Sequence, residues 1–211
     1  MKVPKPQIIN LNSLIQFSDI FEAVVDEKIE KCFIENCKND NFELYDFSIK
    51  NVILCNAEII KGSFEKCSFV DVKFDSCNFS NTSFENCSFT RCEFNNCKLT
   101  GCDLSNTRLY NISFNDVNLN YANMSMASMK KVLFKNSELK NSIFQENKLD
   151  KIELIKSDLT QAQFFKTRLK EIDLSDCKID QIAVSIEDIN GAIINQFQAL
   201  DLMYLLGVKI K

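Results

Sequence analysis

The chain has 211 residues, a formal net charge of −4, ten cysteines and no histidine. Its length suits one domain; no apolar run approaches the ~20 residues of a membrane span, and the start lacks a signal-peptide pattern, so a cytoplasmic protein is expected. Without histidine the commonest general base is missing, and the four glycines form no phosphate-binding loop, so neither an enzyme nor a cofactor, metal or small-molecule site is expected.

Residues 1–28 read as an N-terminal cap. Pro4 and Pro6 keep the start extended, and Ile8, Ile9, Leu11, Leu14, Ile15 and Phe17 are too apolar to be left in water. Such a segment would cover the exposed edge of the array that follows. In SDIFEAVVDEKIEKC, Ser18 or Asp19 can cap a helical turn, although the same residues also read as irregular repeats.

Residues 29–189 form an internal repeat. Phe64, Phe69, Phe74, Phe79, Phe84, Phe89 and Phe94 recur every fifth position, and Leu99, Leu104 and Leu109 continue the series. From Leu44 to Val184 the phase never slips, with Met124 and Met129 included. Two positions before each of these stands a second, smaller residue such as Cys67, Val72, Cys77 or Thr82. A period of five suits neither an α-helix, whose face it would rotate away, nor a straight strand, whose faces it would swap. It suits short extended pieces joined by corners, with two inward side chains each. Val52, Val72, Ile112, Val132, Ile152 and Ile172 add a second period of twenty, so four units make one coil with four sides. Phe74, Phe94, Phe114 and Phe134 should then stack, as should Phe64 on Phe84, one strand spacing of ~4.8 Å apart. Roughly seven or eight coils would give a rod of about 35–40 Å.

Nine cysteines (32, 37, 67, 77, 87, 92, 97, 102 and 177) fall at the smaller inward position, where a thiol acts as an apolar filler. Cys55 faces outward and is the one candidate for reactivity. Asn147 occupies an inward position and needs polar partners, while Ser137, Ser142 and Ser157 can bond to the nearby backbone.

After Cys177 the pattern decays, and SIEDIN breaks it. In residues 190–211, Asn195 can cap a helix ending at Gly207, and Val208-Lys209-Ile210 reads as a short strand. The helix is apolar on more than one face, so Phe197, Leu200, Met203 and Tyr204 are expected to form a homodimer interface.

These five-residue units resemble the pentapeptide-repeat family, which implies an all-β, right-handed quadrilateral β-helix. The tail, with GAII before a helix and a closing LLGVKI, resembles the quinolone-resistance (Qnr) branch, most nearly the chromosomal Qnr-like proteins of Gram-positive bacteria. That resemblance implies a head-to-head dimer through the C-terminal helix. It also implies a protein that binds DNA gyrase or topoisomerase IV and protects it from fluoroquinolones, as a DNA-like rod or by dislodging the drug-trapped complex. The loops that interrupt the coils in plasmid-borne Gram-negative members are absent here, so loop-dependent protection does not carry over. The alternative is an interaction scaffold with an unrelated partner.

The outward charges are sorted by side. The side centred on 44 through 184 carries Glu43, Asp46, Glu65, Glu85, Asp103 and Glu146 against Lys66 and Lys166, about −4. The side centred on 54 through 174 stands at about −3. Between them the side centred on 49 through 169 stands at about +6, with Arg91, Arg108, Lys130, Lys131, Lys151 and Arg168 among its cations. Carboxylates repeating at the strand spacing can imitate a phosphate ladder, which makes the first side the expected partner surface and the basic side the alternative.

Overall fold

The computed structural model describes residues 2–8 and 14–207. Eight strands form one parallel sheet in chain order: β1 (Ile15–Phe17), β2 (Lys28–Glu35), β3 (Ser48–Cys55), β4 (Ser68–Asp75), β5 (Ser88–Asn95), β6 (Arg108–Asn115), β7 (Ser128–Lys135) and β8 (Lys148–Ile155). From β2 onward every register step is twenty residues, so Ile29, Ile49, Phe69, Phe89, Leu109, Met129 and Leu149 lie one above the other. Each of these strands bends at its middle. Lys31, Asn51, Asp71, Arg91, Asn111, Lys131 and Lys151 have φ between 51° and 58°, and one strand thereby covers two sides. The other two sides are joined by bridges such as Glu58↔Asn78↔Lys98 and Ser63↔Ser83↔Asp103. The result is a quadrilateral β-helix.

The corners explain the period of five. Nearly every fifth residue is left-handed, a conformation that costs an L-residue about 1–2 kcal/mol and that asparagine tolerates best. Asparagine duly fills Asn36, Asn41, Asn56, Asn81, Asn86, Asn96 and Asn106, yet Tyr121 and Met126 adopt it too. Coil-to-coil hydrogen bonds on both flanks offset the strain. At Gly101, with φ of 67°, glycine takes the left-handed corner without strain, and an added Cβ would require only the Asn81 side-chain amide, 2.5 Å away, to move aside.

Phenylalanine fills the interior. Phe64 stacks on Phe84 (5.1 Å, 3°), Phe69 on Phe89 (4.5 Å, 4°) and Phe74 on Phe94 (4.3 Å, 11°). Phe94, Phe114 and Phe134 continue at 4.9 Å. Each stacked pair adds roughly 0.5–1.5 kcal/mol beyond burial. The inward cysteines are buried free thiols, and burial pushes the Cys92 thiol up to about 12. Ser142 Oγ donates to Leu139 O (2.6 Å) and Ser137 Oγ to Lys135 O (3.0 Å). Asn147 Oδ1 accepts from Ala127 N–H (2.8 Å), but its buried Nδ2 has no partner among the described residues. Around it Leu149 and Ile152 are only half-buried, unlike Met129 and Val132 above them.

Both ends differ in detail from the sequence reading. At the start, Ile20 and Ala23 are buried, β1 pairs with β2 and Phe21 packs edge-on against Phe42. Asp19 accepts from the Phe21 N–H (2.7 Å), but the turn is a single 3-10 turn, Phe21–Ala23. Residues 2–8 run back along the rod past its first coils, and Gln7 N–H donates to Asp71 Oδ1 of β4 (2.8 Å). Ile9 and Leu11 lie outside the described residues. At the other end SIEDIN is a one-turn helix, α1 (Ile186–Ile189), N-capped by Ser185, after which Ile193 bridges to Asp173 and pairing resumes. Helix α2 (Gln196–Asp201) starts in an Asn195/Gln198 capping box. It stops earlier than expected and gives way to a 3-10 turn, Met203–Leu206, closed by Gly207 at φ 67°. The expected strand at Val208–Ile210 lies outside the described residues.

Candidate partner surfaces

The acidic side is not one ladder but three parallel rows. Glu43 and Asp103 share a row, separated by Ser63 and Ser83. Glu65 and Glu85 occupy successive coils of a second row, joined through Lys66 N–H to Glu85 O (3.1 Å). Asp46 and Glu146 stand on a corner row with Lys66 and Lys166. Two of the six carboxylates are already engaged. Asp103 Oδ1 accepts from Ser105 N–H (2.9 Å) and Asn123 Nδ2 (3.1 Å), and Glu146 pairs with Lys166 at 2.8 Å. Lys66 is turned aside onto Tyr45, its Nζ 4.7 Å from the ring centroid. Glu43, Asp46, Glu65 and Glu85 are in no ion pair among the described residues, and all four belong to the N-terminal half.

On the basic side, pairing also redistributes charge. Arg91 makes a bidentate contact with Asp71 of the preceding coil (2.7 and 2.6 Å), and the Asp71 side chain is buried. The Arg91 guanidinium, helped by the Gln7 N–H, holds the Asp71 carboxyl below the usual carboxylate range. Lys130 pairs with Asp150 at 3.6 Å. Arg108, Lys151 and Arg168 are exposed and Lys131 is half-buried; none is in an ion pair among the described residues, so the uncompensated positive charge gathers in the C-terminal half. Sequence reasoning missed the Arg91–Asp71 pair, although the twenty-residue offset of the two corners was enough to place them together.

At the C-terminal end, Phe197 (72% exposed), Leu200 (58%) and Tyr204 (50%) are uncovered, and Met203 is half-buried. The Tyr204 hydroxyl donates to Ile182 O, which fixes the ring against the last coil. Ile193 and Leu206 are exposed as well, so five apolar or aromatic side chains stand uncovered between residues 193 and 206. No group of acid or cysteine side chains that could hold a metal occurs among the described residues, and none of their helices is long and apolar enough to cross a membrane.

Comparison with known proteins places this architecture. Residues 67–106 match the family description "Pentapeptide repeats (8 copies)" and residues 87–164 match "Pentapeptide repeat region". No curated protein matches by sequence. Among solved structures, two trypsin-treated forms of QnrB1, a plasmid-mediated fluoroquinolone resistance protein, are similar. One is 18% identical with a TM-score of 0.50, covering 94% of this chain and 98% of its own. The other is 19% identical with a TM-score of 0.52, covering 94% and 99%. HetL, a pentapeptide repeat protein involved in heterocyst differentiation regulation in the cyanobacterium Nostoc, is 13% identical over 79% of this chain and 91% of its own, with a TM-score of 0.40. At these identities the likeness is one of fold.

Proposed function

The chain is a pentapeptide-repeat protein over residues 67–164, and we propose that it acts without catalysis, by binding DNA gyrase or topoisomerase IV in the cytoplasm and protecting it from fluoroquinolone-type inhibitors. The observation that carries this reading is a rigid rod on which Glu65 and Glu85 repeat at the strand spacing, flanked by Glu43 and Asp46, with no cation among the described residues paired to them. A topoisomerase saddle is built to grip phosphates at regular intervals, and such a row offers it a surrogate. The fold likeness to trypsin-treated forms of a fluoroquinolone resistance protein, over 94% of this chain, supports the same reading. The exposed Phe197, Leu200 and Tyr204 surface, with Met203 at its edge, serves as a homodimer interface that doubles the rod's length.

The experiment is DNA supercoiling by gyrase at an inhibitory concentration of ciprofloxacin, with and without this protein. Restored supercoiling is expected; no restoration at stoichiometric excess with either topoisomerase would reject the reading. A second reading, an interaction rod for an unrelated acidic partner, rests on Arg108, Lys131, Lys151 and Arg168, which are in no ion pair among the described residues. Loss of binding on reversing those cations alone would favour it.

A further inference from the structure

Along the array each coil donates N–H groups to the carbonyls of the next, and at one place this stops. Asn136 N–H reaches Ile155 O at 2.9 Å, and β7 pairs with β8 along its whole length. One coil later, residues 168–175 form neither a strand nor a bridge with β8. The N–H groups of Leu149, Lys151 and Leu154, and those of Arg168 and Lys170, make no backbone bond across the gap. Ser175 N–H instead turns to Asp173 Oδ1 (2.9 Å). The gap has sharp ends: Asn147 N–H bonds to Thr167 Oγ1 (2.9 Å) on one side, and Lys178 N–H bonds to Ser157 O (3.0 Å) on the other.

The lower wall is held to the C-terminal coil. Leu169 N–H donates to Asp188 O, Glu171 N–H to Gly191 O and Leu174 N–H to Ile193 O, each at 2.8 Å, while Asn195 Nδ2 takes the Ser175 carbonyl (2.6 Å). Between the walls lie two adjoining cavities of ≈ 670 and ≈ 410 Å³, which share Lys151, Ile152 and Glu171 in their lining. Leu149, Ile152 and Leu154 line the upper wall. Lys151, Arg168 and Lys170, none in an ion pair among the described residues, stand at one end and outnumber Asp150, which pairs with Lys130, and Glu171, which lines both cavities. Asp173 and Asp176 stand at the other, and hydrogen bonds from Ser175 hold the Asp173 carboxyl below its ordinary range.

We propose that this slot receives an extended segment of a partner protein as an added strand. The segment runs parallel to β8, with acidic residues first, beside Lys151, Arg168 and Lys170. Alternate apolar residues follow over Leu149, Ile152 and Leu154, and a basic end meets Asp173 and Asp176. Strand addition fits because both walls carry backbone N–H groups without backbone partners among the described residues, although Leu154 O already accepts from Cys177 Sγ (3.4 Å), and alternating pockets then give specificity. Each cavity is within the ~300–1,000 Å³ typical of ligand sites. Carboxylates on the same lip oppose a nucleic-acid occupant, and the opposed charges at the two ends set the direction of the strand.

The test is amide hydrogen exchange on the full chain, with a synthetic eight-residue peptide as probe: two aspartates, four alternating valines and threonines, then two lysines. In the free protein the amides of Leu149, Lys151 and Leu154 should exchange faster than those of Met129, Lys131 and Phe134. The peptide should slow them by about tenfold or more. A peptide with prolines in place of the threonines should give no protection, and the variant Lys151→Glu, Arg168→Glu, Lys170→Glu should bind the first peptide at least about tenfold more weakly. Equal protection of both sets in the free protein would overturn the proposal, because the chain itself then closes the slot. So would absence of protection at millimolar peptide, or protection by the proline peptide.

Discussion

The coils built on β4 and β5 and the coils on either side of the slot obey the same five-residue phase, yet they pack differently. In the first block Phe69, Phe74, Phe89 and Phe94 stack in near-parallel pairs and every strand edge is matched. Around the slot the corresponding ladder is Leu149 over Leu169 and Leu154 over Leu174, and the backbones part. Aliphatic ladders do not by themselves part the coils, since Leu99, Leu119 and Leu139 sit in closed ones; at the slot Asp188, Gly191, Ile193 and Asn195 hold the lower coil from below. An inward phase therefore dictates which side chains enter the core; whether neighbouring coils close depends on what else competes for them.

The largest expected contrast is in stability. Phe94→Ala should cost about 3–5 kcal/mol, because a stacked column cannot collapse round the hole. Leu149→Ala, at a half-buried site beside the slot, should cost under about 2 kcal/mol. Urea unfolding of both variants measures the difference, and equal losses would remove the distinction between the two regions.

A smaller effect is expected where the N-terminal arm meets the closed block. Asp71→Asn should lose about 1–3 kcal/mol at neutral pH, as a charge-assisted contact with Arg91 is weakened. The Asp71 carboxyl is depressed in the folded state, so its contribution is fully present above the ordinary carboxylate value of ~3.9 and fades as pH falls through the folded value. The gap between wild type and variant should thus narrow on acidification. A gap that stays constant down to pH ~2 would show that the carboxylate charge is not what stabilises the site.

Thiol chemistry offers the finest comparison. Cys92 is buried in the closed block and raised to about 12, and Cys177, behind the slot, is raised to about 11, both by burial. Cys55 is half-exposed and is also raised, by desolvation and then by the negative charge of Asp75. Time-resolved labelling with a thiol reagent should modify Cys55 first, faster as pH rises, then Cys177 by local opening, and Cys92 only on unfolding. Simultaneous labelling of Cys92 and Cys177 would mean that the two regions open together.

The inward ladders were legible because apolar packing leaves a periodic trace, and Phe64 through Phe94 carry it without interruption. The four-sided coil followed from the twenty-residue recurrence of Val and Ile. The slot left no such trace: Leu149, Ile152 and Leu154 keep the phase, and the tethers that hold the lower wall down come from Asp188 and Asn195, a full coil away. The reach of Gln7 to Asp71 was equally hidden, since a backbone N–H donor has no residue signature. Charge totals misjudged the surfaces for a related reason. A side-by-side sum cannot see that Arg91, Lys130 and Glu146 are already paired.

We propose that Glu43, Glu65 and Glu85 present the topoisomerase-binding surface. Its most direct test is the salt dependence of binding to gyrase for the triple variant Glu43→Lys, Glu65→Lys, Glu85→Lys, beside the triple variant Arg108→Glu, Lys131→Glu, Lys151→Glu. The first variant should stay folded, bind at least about tenfold more weakly and lose much of its salt sensitivity, while the second should bind as wild type does. Normal binding by the first and loss of binding by the second would contradict it.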